Sequence, residues 1–179
     1  MEILEAFNPF TAVASLRQFL ETGGDILFII MIATFFLWAL IVERYWYFWA
    51  AHGSVERKAK NEWESRSDHS SWGAHKIREQ LLSLVRQQTE TNLGSIRALV
   101  AVTPLLGLLG TVTGMVEVFD VMAATGSSNA RAMASGVSKA TIPTMAGMVA
   151  SISGLYFSAA LDKRARRATD RLADELVIE

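Results

Sequence analysis

The chain has 179 residues, 51% of them hydrophobic, with 17 Lys/Arg against 18 Asp/Glu and a positive mean hydropathy. So balanced a charge excludes the basic excess of a nucleic-acid binder, and the lack of cysteine excludes a disulfide framework, thiol chemistry and a zinc–thiolate site. The apolar residues are gathered into long blocks, which points to a membrane protein.

The N-terminal MEILEAFNPF lacks the basic n-region of a cleavable signal peptide, so the first apolar block is expected to stay in the mature chain. Phe10, Val13, Leu16 and Leu20 recur at helical spacing after Asn8-Pro9, a cap and first-turn pair. Residues 1–24 therefore read as an amphipathic interfacial segment that ends at Gly23-Gly24.

Residues 25–49 form the first span. Its residues 26–42, ILFIIMIATFFLWALIV, run for about 25 Å of helix without a charge. Glu43-Arg44 and the aromatic belt Tyr45, Trp46, Tyr47, Phe48, Trp49 follow. Bulky Phe35, Phe36, Leu37 and Trp38 suit contact with lipid.

Residues 50–95 are the polar part, expected as a helical loop with a Ser-rich break over residues 65–71. Ile77, Leu81, Leu84, Val85 and Leu93 return to helical spacing, and no proline intervenes before Pro104. The second membrane helix is thus expected to start near Trp72, well before the bilayer, and to run on to Ala124. His52, His69 and His75 show no repeated ligand spacing, so no metal site is expected.

Two permissive spans complete the membrane part, residues 96–124 and 137–161, joined by a short turn over 125–136 around Gly126-Ser127-Ser128-Asn129. Gly107, Gly110, Gly114, Gly147 and Gly154 would weaken helices in water, but in lipid small residues let helices approach and hydroxyls bond across the contact. These spans are built to touch other helices. Beyond them, residues 162–179 keep the helical pattern as Leu161, Ala165, Ala168, Leu172 and Leu176, with Lys163, Arg164, Arg166, Arg167 and Arg171 between. The third helix should leave the membrane without stopping.

Residues 51–91 carry seven basic groups and the tail five, whereas only Arg17 precedes the first span and the short turn carries only Arg131. The positive-inside rule makes the long loop and C-terminus cytoplasmic and the N-terminus periplasmic. No nucleophile elbow, phosphate loop or paired-carboxylate spacing is present, so neither an enzyme activity nor a cofactor is expected.

TPLLGLLGTVTGM in the second span and SGVSKATIPTMAGMVASISGL in the third resemble the two membrane signatures of the ExbB/TolQ/MotA proton channel family, with length favouring the ExbB or TolQ branch. The resemblance implies an all-α membrane protein with three transmembrane helices, the second and third extended into a cytoplasmic bundle. It further implies a homopentamer around a central pore that holds an ExbD-like one-span partner. In such a complex of the bacterial inner membrane, proton flow at the partner's carboxylate energises, through a TonB-like protein, transport across the outer membrane. The alternatives are a TolQ-like role in envelope maintenance and a non-conducting membrane scaffold. The family's pore-lining threonines map onto Thr111 and Thr144. Where the pattern carries a glutamate in the third helix, GxxEA, this chain has Lys139.

If Thr111 and Thr144 lie level, the midpoint of the turn falls between Ser127 and Ser128, and Glu117 faces Ser138 or Lys139 about 16 Å below the turn. A lone charge at that depth costs at least roughly 2.5–3.5 kcal/mol, which argues for a Glu117–Lys139 pair within or between subunits. The other arrangement is that both side chains reach water at the outer interface. Asp120, nearer the turn, reads as an interface residue. Thr144, Ser151 and Ser158, spaced by seven, make one polar stripe that serves either as pore lining or as helix glue. Pro104 and Pro143 each remove a helical bond and leave the carbonyls of Val100 and Lys139 for water or a partner.

Overall fold

The computed structural model describes residues 9–50, 52–66, 68–69, 71–125 and 130–176, with side chains from residue 23 onward except 52, 125, 130–132 and 135. The cap expected at Asn8 and the turn at Gly126-Ser127-Ser128-Asn129 lie outside the described residues. So do the side chains of Phe10, Val13, Leu16 and Leu20.

The described chain is helical. In order, α1 is Pro9–Ala50, α2 is His52–Glu64, α3 is Trp72–Glu90, α4 is Leu93–Thr125 and α5 is Ala130–Glu175. Among the described residues, three stretches are long and apolar enough to cross a membrane: Gly23–Ala50, Trp72–Ala124 and Gly136–Glu175. The protein is a multi-pass membrane protein.

α1 is broken at Gly24, whose φ of 67° and ψ of −166° are non-helical. That left-handed φ is open to glycine and costly to a side chain. Past the break, Leu27, Ile30, Leu37 and Ile41 are buried, while Phe28, Phe35 and Phe36 are exposed. Phe35 and Phe36 therefore stay available to lipid, whereas Leu37, expected beside them, is buried and Trp38 packs against Phe157.

The helix expected to run unbroken from Trp72 is interrupted at Thr91-Asn92, where Asn92 takes a left-handed φ of 62°. Asparagine tolerates that region better than most residues. The last carbonyls of α3 lose their helical donors there, and one is recovered from outside: Arg44 Nη1 donates to Gln88 O at 3.1 Å. Glu43 Oε2 in turn accepts from Asn92 Nδ2 at 3.3 Å. At the other end of α3, the side chain of Ser71 caps the helix by accepting from the Ala74 amide at 3.2 Å. α5, by contrast, continues from the span into the tail as one helix of 46 residues, about 69 Å by helical rise.

The chain forms two compact units. One comprises Met1–Phe36 with Leu99–Ser153, the other Leu37–Ala98 with Gly154–Glu179. In the second, Ala59, Trp63, Ala74, Val85, Leu172 and Leu176 make a buried core, with Val55, Leu81 and Leu82 packed against it. Val55, Ala59 and Trp63 lie four apart along α2, so a helix that is otherwise polar still turns one stripe inward. Arg78 donates from Nε to Leu176 O and from Nη2 to Ala173 O, both at 2.7 Å, and so closes the C-terminal end of α5. Trp38 and Tyr45 meet Phe157 edge-on, and the Arg164 guanidinium lies 4.9 Å from the Tyr45 ring centre.

Candidate functional site

The polar residues singled out in the spans gather in the first unit, where α4 and α5 run antiparallel at backbone contact. Glycine makes this approach possible. A Cβ on Gly147 would sit 2.8 Å from Thr103 O and 3.2 Å from Gly107 Cα, and one on Gly107 would sit 3.0 Å from both Pro143 O and Thr144 Cα. On Gly114 it would meet Ala140 Cβ at 2.6 Å. Leucines between these glycines would hold the helices apart, and the hydroxyls on the seam would lose their partners.

With the backbones this close, two hydroxyls cross the seam. Thr144 Oγ1 donates to Gly107 O and Ser151 Oγ to Val100 O, each at 2.8 Å. The second bond has a specific cause: Pro104 has no amide hydrogen to give the Val100 carbonyl, and Ser151 supplies the missing donor. Thr103, fully buried, donates to Leu99 O of its own helix at 2.6 Å. The carbonyls around the α4 proline are thereby served by side chains, as lipid demands of a broken helical bond.

Thr111 and Thr144 are not joined. Thr144 lies against Gly107, about one helical turn from Thr111, and the Thr111 hydroxyl donates to Leu108 O of its own helix at 2.7 Å. The buried Ser158, the last member of the stripe, belongs to the other unit. Within one chain, then, the stripe of Thr144 and Ser151 is used as glue between helices. Each hydroxyl oxygen keeps lone pairs that can still accept a proton donor.

Toward the short turn, Lys139 Nζ lies 3.6 Å from Glu117 Oε2, with 44% and 68% of the two side chains exposed. The separation is that of a loose ion pair and neither group is buried. Glu117 and Lys139 share a cavity of about 250 Å³ with Asp25, Gly110, Gly114, Ala140 and Pro143. Outward from the seam, Leu105, Val112, Met145, Val149 and Ile152 are all exposed, so one chain leaves a long apolar face on both helices uncovered.

The sequence profile of the MotA/TolQ/ExbB proton channel family matches residues 51–174, from α2 to the end of α5. The chain belongs to this family. Among individual relatives, it is 38% identical over 64 residues to the Synechocystis protein named as biopolymer transport protein ExbB-like 3, covering 35% of this chain and 30% of that one. It is 43% identical over 63 residues to the Synechocystis ExbB-like 1, covering 34% and 25% of the two. The biopolymer transport protein exbB1 of Vibrio cholerae is 34% identical over 92 residues, 51% of this chain and 40% of that one. The matched segment thus spans between a quarter and two fifths of the length of these curated relatives. Among the branches of the family, ExbB is the one this chain resembles most.

Three residues that matter structurally escaped the reading of the sequence. Arg44 is 4% exposed and clamps the α3 break, Arg78 caps α5, and Trp63 centres the core of the second unit. Only Trp63 had a signal, the spacing of Val55, Ala59 and Trp63. A guanidinium that serves a carbonyl far along the chain leaves no local pattern.

Proposed function

We propose that this protein is the ring-forming channel subunit of a proton-driven motor in the bacterial inner membrane. In this reading five copies surround a pore that holds an ExbD-like one-span partner. The N-terminus is periplasmic, the C-terminus cytoplasmic, and the complex energises TonB-dependent transport through a TonB-like protein. The supporting observation is the α4–α5 seam: two helices packed through glycine, whose polar groups across the uncharged stretch are hydroxyls already engaged with carbonyls. Such a seam can accept and pass hydrogen bonds without carrying a charge across lipid. Thr111, Thr144 and Ser151 supply the pathway, and Glu117 with Lys139 stand at its outer end.

The uncovered apolar faces of α4 and α5 give the ring its contacts, subunit against subunit and subunit against partner helix. Native mass spectrometry of the detergent-purified chain should then find a closed ring, five-fold, and a stable monomer would contradict it. A second reading, a non-conducting scaffold for the partner proteins, is favoured by Lys139 alone, since an ammonium ring facing a pore would repel hydronium. Proton flux into liposomes separates the two. Flux that requires both this chain and the one-span partner supports the motor, and a complex that assembles without flux supports the scaffold.

A further inference from the structure

Charges frame the spans of this protein at both ends. α1 carries no Asp, Glu, Lys or Arg over residues 26–42, α4 none over 98–116 and α5 none over 140–161. The uncharged part of α4 is about 28 Å long by helical rise, close to the roughly 30 Å of a hydrocarbon core. On the side of the loop, the frame is Arg97 and Asp162, joined at 2.8 Å. On the side of the turn it is Asp25, Glu117 and Lys139, the residues that begin or end the three uncharged stretches, and all three line the same cavity.

Counted down from the turn, Lys139 would lie deep in the membrane. Counted from the first span it does not, because Asp25 shares its cavity and the apolar block of α1 only begins at the next residue. Ile26 Cγ2 would lie 3.2 Å from a Cβ on Gly110, so the first apolar residue of α1 packs beside α4 two helical turns, about 10 Å of rise, inside Glu117. One ammonium there shares a cavity with two carboxylates. Glu117 is in contact with it, and Asp25, which makes no ion pair with a described residue, lines the same cavity from another helix.

We propose that the outer surface of the hydrocarbon core lies near Asp25, just inside Glu117 and Lys139, that Lys139 is shared there between the two carboxylates, and that residues 118–125 and 133–138 stand outside the bilayer. Lys139 is then a boundary clamp that ties α1, α4 and α5 of one subunit. This does not depend on whether the channel conducts protons.

The chain has no cysteine, so single cysteines report water access without background. In intact cells, a membrane-impermeant charged maleimide should label Val121→Cys and Met133→Cys at least about tenfold faster than Ile29→Cys, which lies one turn of α1 inside Asp25. Protection of all three would overturn the boundary, and so would equal labelling of all three. Sharing of the lysine is read from the thermal midpoint of the full chain in lipid nanodiscs. Asp25→Asn and Glu117→Gln singly should each cost little, the double change should lower the midpoint by clearly more than their sum, and Lys139→Met in the double background should restore it. Asp25→Glu in the Glu117→Gln background should hold the single-variant midpoint. Additive losses, or a double variant that Lys139→Met does not rescue, would overturn the shared clamp.

Discussion

In the unit that contains Gly107, Gly114 and Gly147, helices meet because side chains are missing, whereas in the unit that contains Trp63 and Leu172 they meet because large side chains are buried. The contrast matches the solvents proposed for the two regions. Lipid tails are as apolar as leucine, so burying leucine between membrane helices gains little, and close packing with hydroxyl–carbonyl bonds does the holding. In water, removing apolar surface is itself the driving force. Polar groups divide the same way: the first unit spends hydroxyls on carbonyls, and the second spends arginines on helix ends and ion pairs.

The largest expected effect comes from the water-built side. Trp63 is 4% exposed at the centre of its core, and Trp63→Ala should destabilise that unit by about 3–5 kcal/mol. Limited proteolysis would read this as cleavage across α2 and α3, with the seam of α4 and α5 still resistant. Simultaneous loss of both units would show that they are not held separately. Next is Gly147→Val, which places methyl groups against the α4 backbone and should cost about 3 kcal/mol, near the upper end for overpacking. The loss should appear in thermal unfolding in detergent, and an unchanged midpoint would mean that glycine does not set the helix separation.

A smaller effect belongs to Arg78. Its removal leaves the carbonyls of Ala173 and Leu176 without these donors, and Arg78→Ala should cost about 1–3 kcal/mol. Arg78→Lys, a single ammonium without the planar fork, should recover only part of it in the same unfolding measurement. The smallest is Thr144→Val, which deletes one interhelical hydrogen bond and should cost only about 0.6 kcal/mol. A loss of several kcal/mol there would make the hydroxyl chiefly structural.

How much of this could be read in advance differs between the two units for a physical reason. The span lengths, the glycine-rich faces and the continuation of α5 past Leu161 are periodic patterns over many residues, and hydrophobic periodicity states them directly. The antiparallel pairing of α4 with α5 followed from the short turn, though Thr144 came to lie at Gly107 and not at Thr111. Pro104 announced a free carbonyl at Val100, and the structure supplies Ser151 as its donor. The break at Thr91-Asn92 had no glycine or proline to mark it. It exists because Arg44 and Glu43, from another helix, meet the groups it exposes.

The seam's proposed role in moving protons can be measured apart from its role in holding helices. Thr111→Val with Thr144→Val keeps the volume of both side chains and removes both hydroxyls, at a predicted cost in stability too small to disturb assembly. Proton flux into liposomes, with the double variant reconstituted beside the proposed one-span partner, is the direct test. The account predicts that ring and partner assemble as in the unchanged protein while flux falls to the level of protein-free vesicles. Undiminished flux through the double variant would contradict it and reduce both threonines to packing residues.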